Sequence, residues 1–440
     1  MIPRYSRPAM SRVWSEDNQF ELWLRVEIAA SQAWSEQGVI PADEMEEIRK
    51  ATFSRELYDE HFEQTKHDVV SFTRAVTPSV GDAGRWIHYG LTSNDVKDTA
   101  LSLQLVEAID LIDGEVQRLM EAVKVRAEEN IGVICIGRSH GVHAEPMSFG
   151  LKLATWYSEL ADHRKSIALS RELVSVGKIS GPVGTYAGIP PEIEESVCRQ
   201  LGIAPAPVSS QIVPRHRHAN FVSTLAQLAA SLEKFATEIR ALQRTEIREV
   251  EEPFGMPGYV STGSSSMPHK RNPELTERIC GLARLVRGNS VPALENVALW
   301  HERDISHSSV ERIILPDTSL AIDYMLDLLT GVVSGMKVYA DRMMENVELT
   351  RGLVFSPRVL SALIESGMDR TSAYEIVQAA AMQTWNEDGD FRELIKASGE
   401  VSRNLSESRL DELFDYGFFM THVGHTFERL GLSAAGLNGA

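Results

Sequence analysis

At 440 residues and a formal charge of −18, the chain is long for a single compact core and too acidic for general nucleic-acid binding. Its hydrophobic fraction of 43% excludes a disordered chain, and three scattered cysteines, Cys135, Cys198 and Cys280, exclude a disulfide framework and a CxxC metal site. The opening MIPRYSRP lacks the apolar stretch of a signal peptide, and charges interrupt every candidate for a membrane span of about 20 residues. A cytoplasmic protein with neither nucleic-acid nor membrane partners is the expectation.

In chain order, Ser15 and Asp17 can cap a helix carrying Phe20, Trp23, Leu24, Ile28 and Trp34. Gly38 ends it, and Pro41 opens the next. Thr92-Ser93-Asn94-Asp95 reads as a further helix start. Three long apolar-periodic segments follow, over about 95–130, from Pro146 to about 174, and between Pro214 and Pro253. Each far exceeds the mean helix of about 11–12 residues, and helices of matched length pack as a bundle. The β-branched residues and Gly177, Gly181 and Gly184 of 174–186 point to a hairpin. Gly281, Gly288 and Pro292 predict a bent or broken helix before a further one through Ile322, Leu326 and Leu329. From Thr350 on, Pro357, Gly367, Gly389 and Gly399 punctuate brief helices. The expected class is all-α, in three helical domains: 1–93, a central long-helix bundle over 94–350, and 351–440.

Several segments carry residue types suited to chemistry. GSSSMPHKRNP (263–273) combines hydroxyls, cations and an amide in a Gly/Pro-rich setting. It suits closure over an anion, or is a solvated loop. It is no phosphate loop, because Ser264 stands where that motif needs Lys. In GRSHGVHAEP (137–146), His140 is flanked by Ser139 and Gly141 and can transfer protons near neutral pH. It can equally be structural, or His140, His143 and Glu145 can be read as metal ligands, which no other cluster supports. His67 beside Asp68 is either solvated or oriented by a carboxylate elsewhere. Thr92 and Ser93 offer a carboxylate site at a helix start. In WHERDISHSS, Ile305 stands where a zinc protease needs His, while Arg303 and Arg312 are forks for phosphate or carboxylate, or members of a surface ion-pair network.

GSSSMPHKRNP closely resembles the signature loop of the fumarase/aspartase superfamily, whose members eliminate fumarate from succinyl-bearing substrates. TKHDVVSF, LTSNDVKDTA, GRSHGVHAEP, WHERDISHSSVER and the Arg4-Tyr5 pair resemble its adenylosuccinate lyase family rather than fumarase, aspartase or argininosuccinate lyase. The resemblance covers essentially the whole chain. It implies that His140 is the general acid, that Ser264 is the base, that His67 orients the substrate and that Glu277 pairs with the catalytic histidine. It implies that Lys270 and Asn272, with Thr92, Ser93 and Ser265, hold the succinyl carboxylates. Arg4, Tyr5, Arg303, Ser308 and Arg312 become nucleotide contacts, mainly around phosphate, and Lys66, Asp68, His88 and Gln211 further substrate contacts. It implies no metal or cofactor, succinylated purine nucleotides as substrates, and a homotetramer whose sites are each built from three subunits. Two departures are mild: Ser139 stands where many relatives have Thr, and Ser266 where Ala or Thr is usual. Ser266 adds a third hydroxyl beside Ser264 and Ser265.

Overall fold

A computed structural model describes residues 1–255, 266–387 and 389–439. Helix α1 (Glu16–Glu36) starts where the Ser15 hydroxyl accepts the Asn18 N–H at 3.2 Å, and it ends before Gly38, at a φ of 75°. The long helices follow as α2 (Ser93–Glu129), α3 (Phe149–Val174), α4 (His216–Gln243), α5 (Glu274–Glu295) and α6 (Ser306–Gly335). Short helices occupy the chain beyond, among them Ser356–Glu365 and Phe391–Ala397. Among the described residues, strands are confined to one hairpin, β1 (Ile134–Ser139) with β2 (Val142–Ser148), and two two-residue pairings. The all-α expectation holds. No helix of the described residues is long and apolar enough to cross a membrane.

The chain divides into two compact units. The first comprises Met1–Arg118, Leu160–Lys234 and Arg278–Leu329; the second comprises Leu119–Glu159, Phe235–Glu277 and Thr330–Ala440. In the first, Phe20 stacks on Phe53 at 4.4 Å, meets Trp23 edge-on at 5.5 Å, and lies over the fully buried Phe72. Each such side chain stabilises the fold by roughly 1.5–3 kcal/mol. Helix Pro191–Leu201 is tied to α1 by Ser196 Oγ donating to Glu36 Oε2 (2.8 Å). In the second unit, Phe355, Val359, Leu363, Phe391 and Ile395 form the core, and Trp156 stacks on Phe235 at 4.8 Å. Gly150 is required there, since a Cβ would lie 2.4 Å from the Ala127 carbonyl oxygen.

Three local expectations are corrected. Pro146 does not open α3. It sits in β2 opposite Ile136, and the helix starts at Phe149, where Ser148 Oγ accepts the Leu151 N–H at 3.1 Å. A proline lacks the N–H for a central ladder, but a two-stranded hairpin has only edges. The segment 174–186 is no hairpin: Val176–Gly177 runs parallel to Ala204–Pro205. Its later N–H groups go to side chains instead, Ile179 to Glu194 Oε2 (2.7 Å), Ser180 and Gly181 to Asp95 Oδ1 (3.2 Å each). α5 runs unbroken through Gly281 and Gly288, because Pro292 falls in its last turn, where few ladder bonds remain to lose.

Candidate active site

In the first unit, the starts of α2 and α6 supply most of a cavity of about 270 Å³. Four cations line it, Lys97, Arg215, Arg303 and Arg312, beside Trp14 and Trp23. In so acidic a chain this gathers four cations in one place, although Glu16, Asp98 and Glu311 share the lining. Arg215 is neutralised by Asp98, which it grips with both terminal nitrogens (2.6 and 3.0 Å), and by Glu311 (2.8 Å). Burial opposes the Asp98 charge, but Arg215 holds that carboxyl far below the usual range. Asp68 receives Lys97 Nζ (2.6 Å) and Arg312 Nη2 (3.0 Å). Burial pushes its carboxyl up, and Lys97, the Val69 N–H and Arg312 bring it below its ordinary value. Ser308 lines the same cavity, and Gln211 accepts a hydrogen bond from Arg303 at 3.2 Å.

His67 caps the helix Asp68–Val76, its Nδ1 accepting the Val70 N–H at 3.3 Å. That assigns the ring proton to Nε2, on a side chain half exposed to solvent. Lys66 terminates the preceding helix at a left-handed φ of 51°, and its ammonium group pairs with Glu63. His88 is gripped twice by the fully buried Glu27, through its backbone N–H (2.8 Å) and Nδ1 (2.7 Å). Burial lowers the affinity of His88 for its proton, but Glu27 outweighs this and raises it overall. Thr92 and Ser93 begin α2. The Thr92 N–H donates to Asp95 Oδ2 (2.8 Å), and neither side-chain hydroxyl has a partner among the described residues. Arg4 and Tyr5 form a 3-10 turn whose tyrosine ring meets Tyr324 edge-on at 5.5 Å. Arg7 anchors this N-terminal strap to Asp323 at 2.8 Å.

In the second unit, His140 occupies the tip of the β1–β2 hairpin. Ser139 pairs with Val142, so His140 (φ 57°) and Gly141 (φ 78°) are the two central residues of a tight turn. Positive φ at both positions marks the turn type whose twist matches the strands. Arg138 at the hairpin's end forks onto buried Glu249 (2.6 and 3.1 Å), which also accepts from Asn346 (2.8 Å). The His140 ring is exposed and without a hydrogen bond among the described residues. Lys270 and Asn272 line a second cavity with Arg244 and Arg248, and Glu277 is exposed in the first turn of α5. Glu252 joins both stems of this region. It is buried, its carboxylate accepts the N–H groups of Leu275 (3.2 Å) and Thr276 (2.7 Å), and its own N–H donates to Gln243 Oε1 (2.9 Å). Ser264 and Ser265 lie outside the described residues. Among the described residues, no group of three or more His, Cys, Asp or Glu is arranged to hold a metal ion, the set His140, His143 and Glu145 included.

The chain matches the family described as "Lyase" over residues 4–288 and that described as "Adenylosuccinate lyase C-terminus" over residues 352–430. It is 48% identical over 434 residues to the adenylosuccinate lyase of Bacillus subtilis (strain 168), spanning 98% of this chain and 100% of that one. The chain belongs to the adenylosuccinate lyase family. It is thus a C–N lyase of the fumarase/aspartase superfamily. Among solved structures it resembles the 3-carboxy-cis,cis-muconate lactonizing enzyme of Pseudomonas putida, with a TM-score of 0.87 and 27% identity over 97% of this chain and 96% of that one. It also resembles a fumarate lyase from Mesorhizobium sp. BNC1, with a TM-score of 0.88 and 24% identity over 100% of both chains, a likeness of fold alone. One fold thus carries differently named reactions, and the side chains of the site decide between them.

Membership of the lyase family directs attention to supports that sequence reasoning missed. Glu27 behind His88, Lys97 beside Asp68, and Asp98 and Glu311 around Arg215 all read as ordinary helix charges. Lys178 is fully buried, its ammonium bound to Asp95 and to the Gly181 carbonyl (2.8 Å), 83 residues from its acidic partner. No local pattern announces such pairs. The one available signal is the Gly-rich surroundings of Lys178, which suggest close backbone approach.

Proposed function

We propose that this lyase eliminates fumarate from adenylosuccinate, giving AMP, and from succinylaminoimidazole-carboxamide ribotide, giving the matching carboxamide ribotide. The observation that carries the reading is the near full-length 48% identity to an adenylosuccinate lyase. The cation-lined cavity of the first unit supports it, because a nucleotide phosphate needs such a place in an acidic protein.

In this reading, Ser264 takes a proton from the succinyl β-carbon. The freed electron pair forms the carbon–carbon double bond as the C–N bond breaks, and His140 gives a proton to the departing nitrogen. Lys270 and Asn272, with Thr92, Ser93 and Ser265, hold the carboxylates where negative charge grows, so the donors are in place before the reaction. His67 presents its Nε2–H to the substrate, Glu277 pairs with the catalytic histidine, and His88 acts with Glu27 behind it. Arg303, Ser308, Arg312, Arg4 and Tyr5 receive the phosphate, with Gln211, Lys66 and Asp68 completing the nucleotide site. No metal or cofactor takes part in the scheme.

The enzyme acts as a cytoplasmic homotetramer of three-domain subunits, with sites shared between chains. Exposed apolar side chains gathered between residues 285 and 313, including Leu285, Leu294, Trp300, Ile305 and Ile313, support self-association. The purified protein mixed with adenylosuccinate is expected to change the ultraviolet absorbance and yield AMP with one fumarate each. A folded protein that leaves adenylosuccinate intact would refute the assignment.

A further inference from the structure

The arginines around the first-unit cavity differ in what neutralises them. Arg215 is matched by Asp98 and Glu311, and Arg312 by Asp68. Arg303 has no carboxylate partner among the described residues. Its Nε–H donates to His307 Nε2 at 3.2 Å, and its Nη1 donates to Gln211 Oε1 at 3.2 Å, both uncharged acceptors. The Nη2 group makes no hydrogen bond among the described residues, on a side chain that lines the cavity.

His307 accepts from Arg303 only when its Nε2 carries no proton, and the contact of the other ring nitrogen matches that tautomer. Nδ1 lies 3.0 Å from Glu311 Oε2, one turn further along α6, so Nδ1 carries the hydrogen and Nε2 the lone pair. Arg215 Nη2 is also 3.4 Å from Nδ1, but its donors are used at shorter range by Asp98 Oδ1 (3.0 Å) and Glu311 Oε2 (3.2 Å). Glu311 is itself fixed by Arg215 Nε at 2.8 Å. Both His307 (2% exposed) and Glu311 (7%) are shielded from water, so this chain of bonds faces little competition from solvent. A carboxylate in place of the imidazole would grip Arg303 but cancel its charge. A neutral ring fixes the Nε edge and leaves the charge for a ligand.

We propose that His307, oriented by Glu311, is a positioning residue that aims Arg303 at the phosphate of the nucleotide. This rests on the reading of Arg303 as a phosphate contact. The test measures binding of AMP and of adenosine to the full-length protein, together with KM and kcat for adenylosuccinate. In His307→Ala, the preference for AMP over adenosine is expected to fall about ten-fold, with KM rising and kcat little changed, as loss of one hydrogen bond to a charged group implies. His307→Gln, whose side-chain oxygen can accept the Arg303 Nε–H, is expected to restore most of that preference. An unchanged preference in His307→Ala, or an equal loss for both ligands, overturns the positioning role. Arg303→Ala separates the two readings. If it too leaves the preference intact, the phosphate role of Arg303 falls. If it abolishes the preference while His307→Ala does not, only the positioning role falls.

Discussion

His218 is buried, and neither ring nitrogen has a hydrogen-bond partner among the described residues. Burial, then the charge of Arg215, push its pKa down to about 4, against the pull of Glu311 and Asp98. A neutral ring here avoids setting a second cation against Arg215. The unfolded chain takes up a proton near pH 6.5, whereas the folded chain resists until about pH 4. This contribution to stability is therefore present above pH 6.5 and is lost as the pH falls toward 4, on the order of 3 kcal/mol across the window. Urea unfolding at stepped pH is expected to show that loss, and His218→Leu is expected to flatten it. An equal slope in both proteins would remove His218 as its source.

At the scale of elements, the β1–β2 turn decides how His140 is best tested. Its φ of 57° costs an alanine about 1 kcal/mol or more, whereas asparagine tolerates left-handed backbone. His140→Asn is expected to keep the wild-type melting temperature and abolish turnover of adenylosuccinate. Near-normal activity in that variant would end its role as acid. The long helices were legible because apolar residues recur with helical period over many turns, with punctuation at Ser15, Gly38 and Pro214, but α4 stops at Gln243, well short of the expected Pro253, and Val250–Glu251 is a strand. The hairpin was not, because Pro146 suits a first helical position as well as an edge strand, and the strands mix exposed, half-buried and buried residues without a clean alternation. Candidate site residues clustered in short motifs, such as His67 with Asp68 or Lys270 with Asn272, stood out in the sequence by residue type and spacing. Their supports were not, because Asp95 with Lys178, or Arg215 with Glu311, meet only through folding.

At the scale of the whole molecule, the proposed sharing of sites between the subunits of a tetramer makes a prediction that single chains cannot fulfil. If His67 and His140 of one working site come from different subunits, mixed tetramers of inactive His67→Ala and His140→Asn chains regain some intact sites. Random reassembly of equal amounts is expected to recover about a quarter of wild-type activity, half times half. No recovery from well-mixed tetramers would return both residues to one chain's site. A different consequence follows from Glu252, whose carboxylate meets the start of α5 while its backbone is held at the end of α4. The stretch that leaves Glu252 therefore returns to the same point at Leu275. Glu252 is thus a clasp: one buried carboxylate fixes where the chain that carries Lys270 and Asn272 departs from α4 and where it rejoins α5.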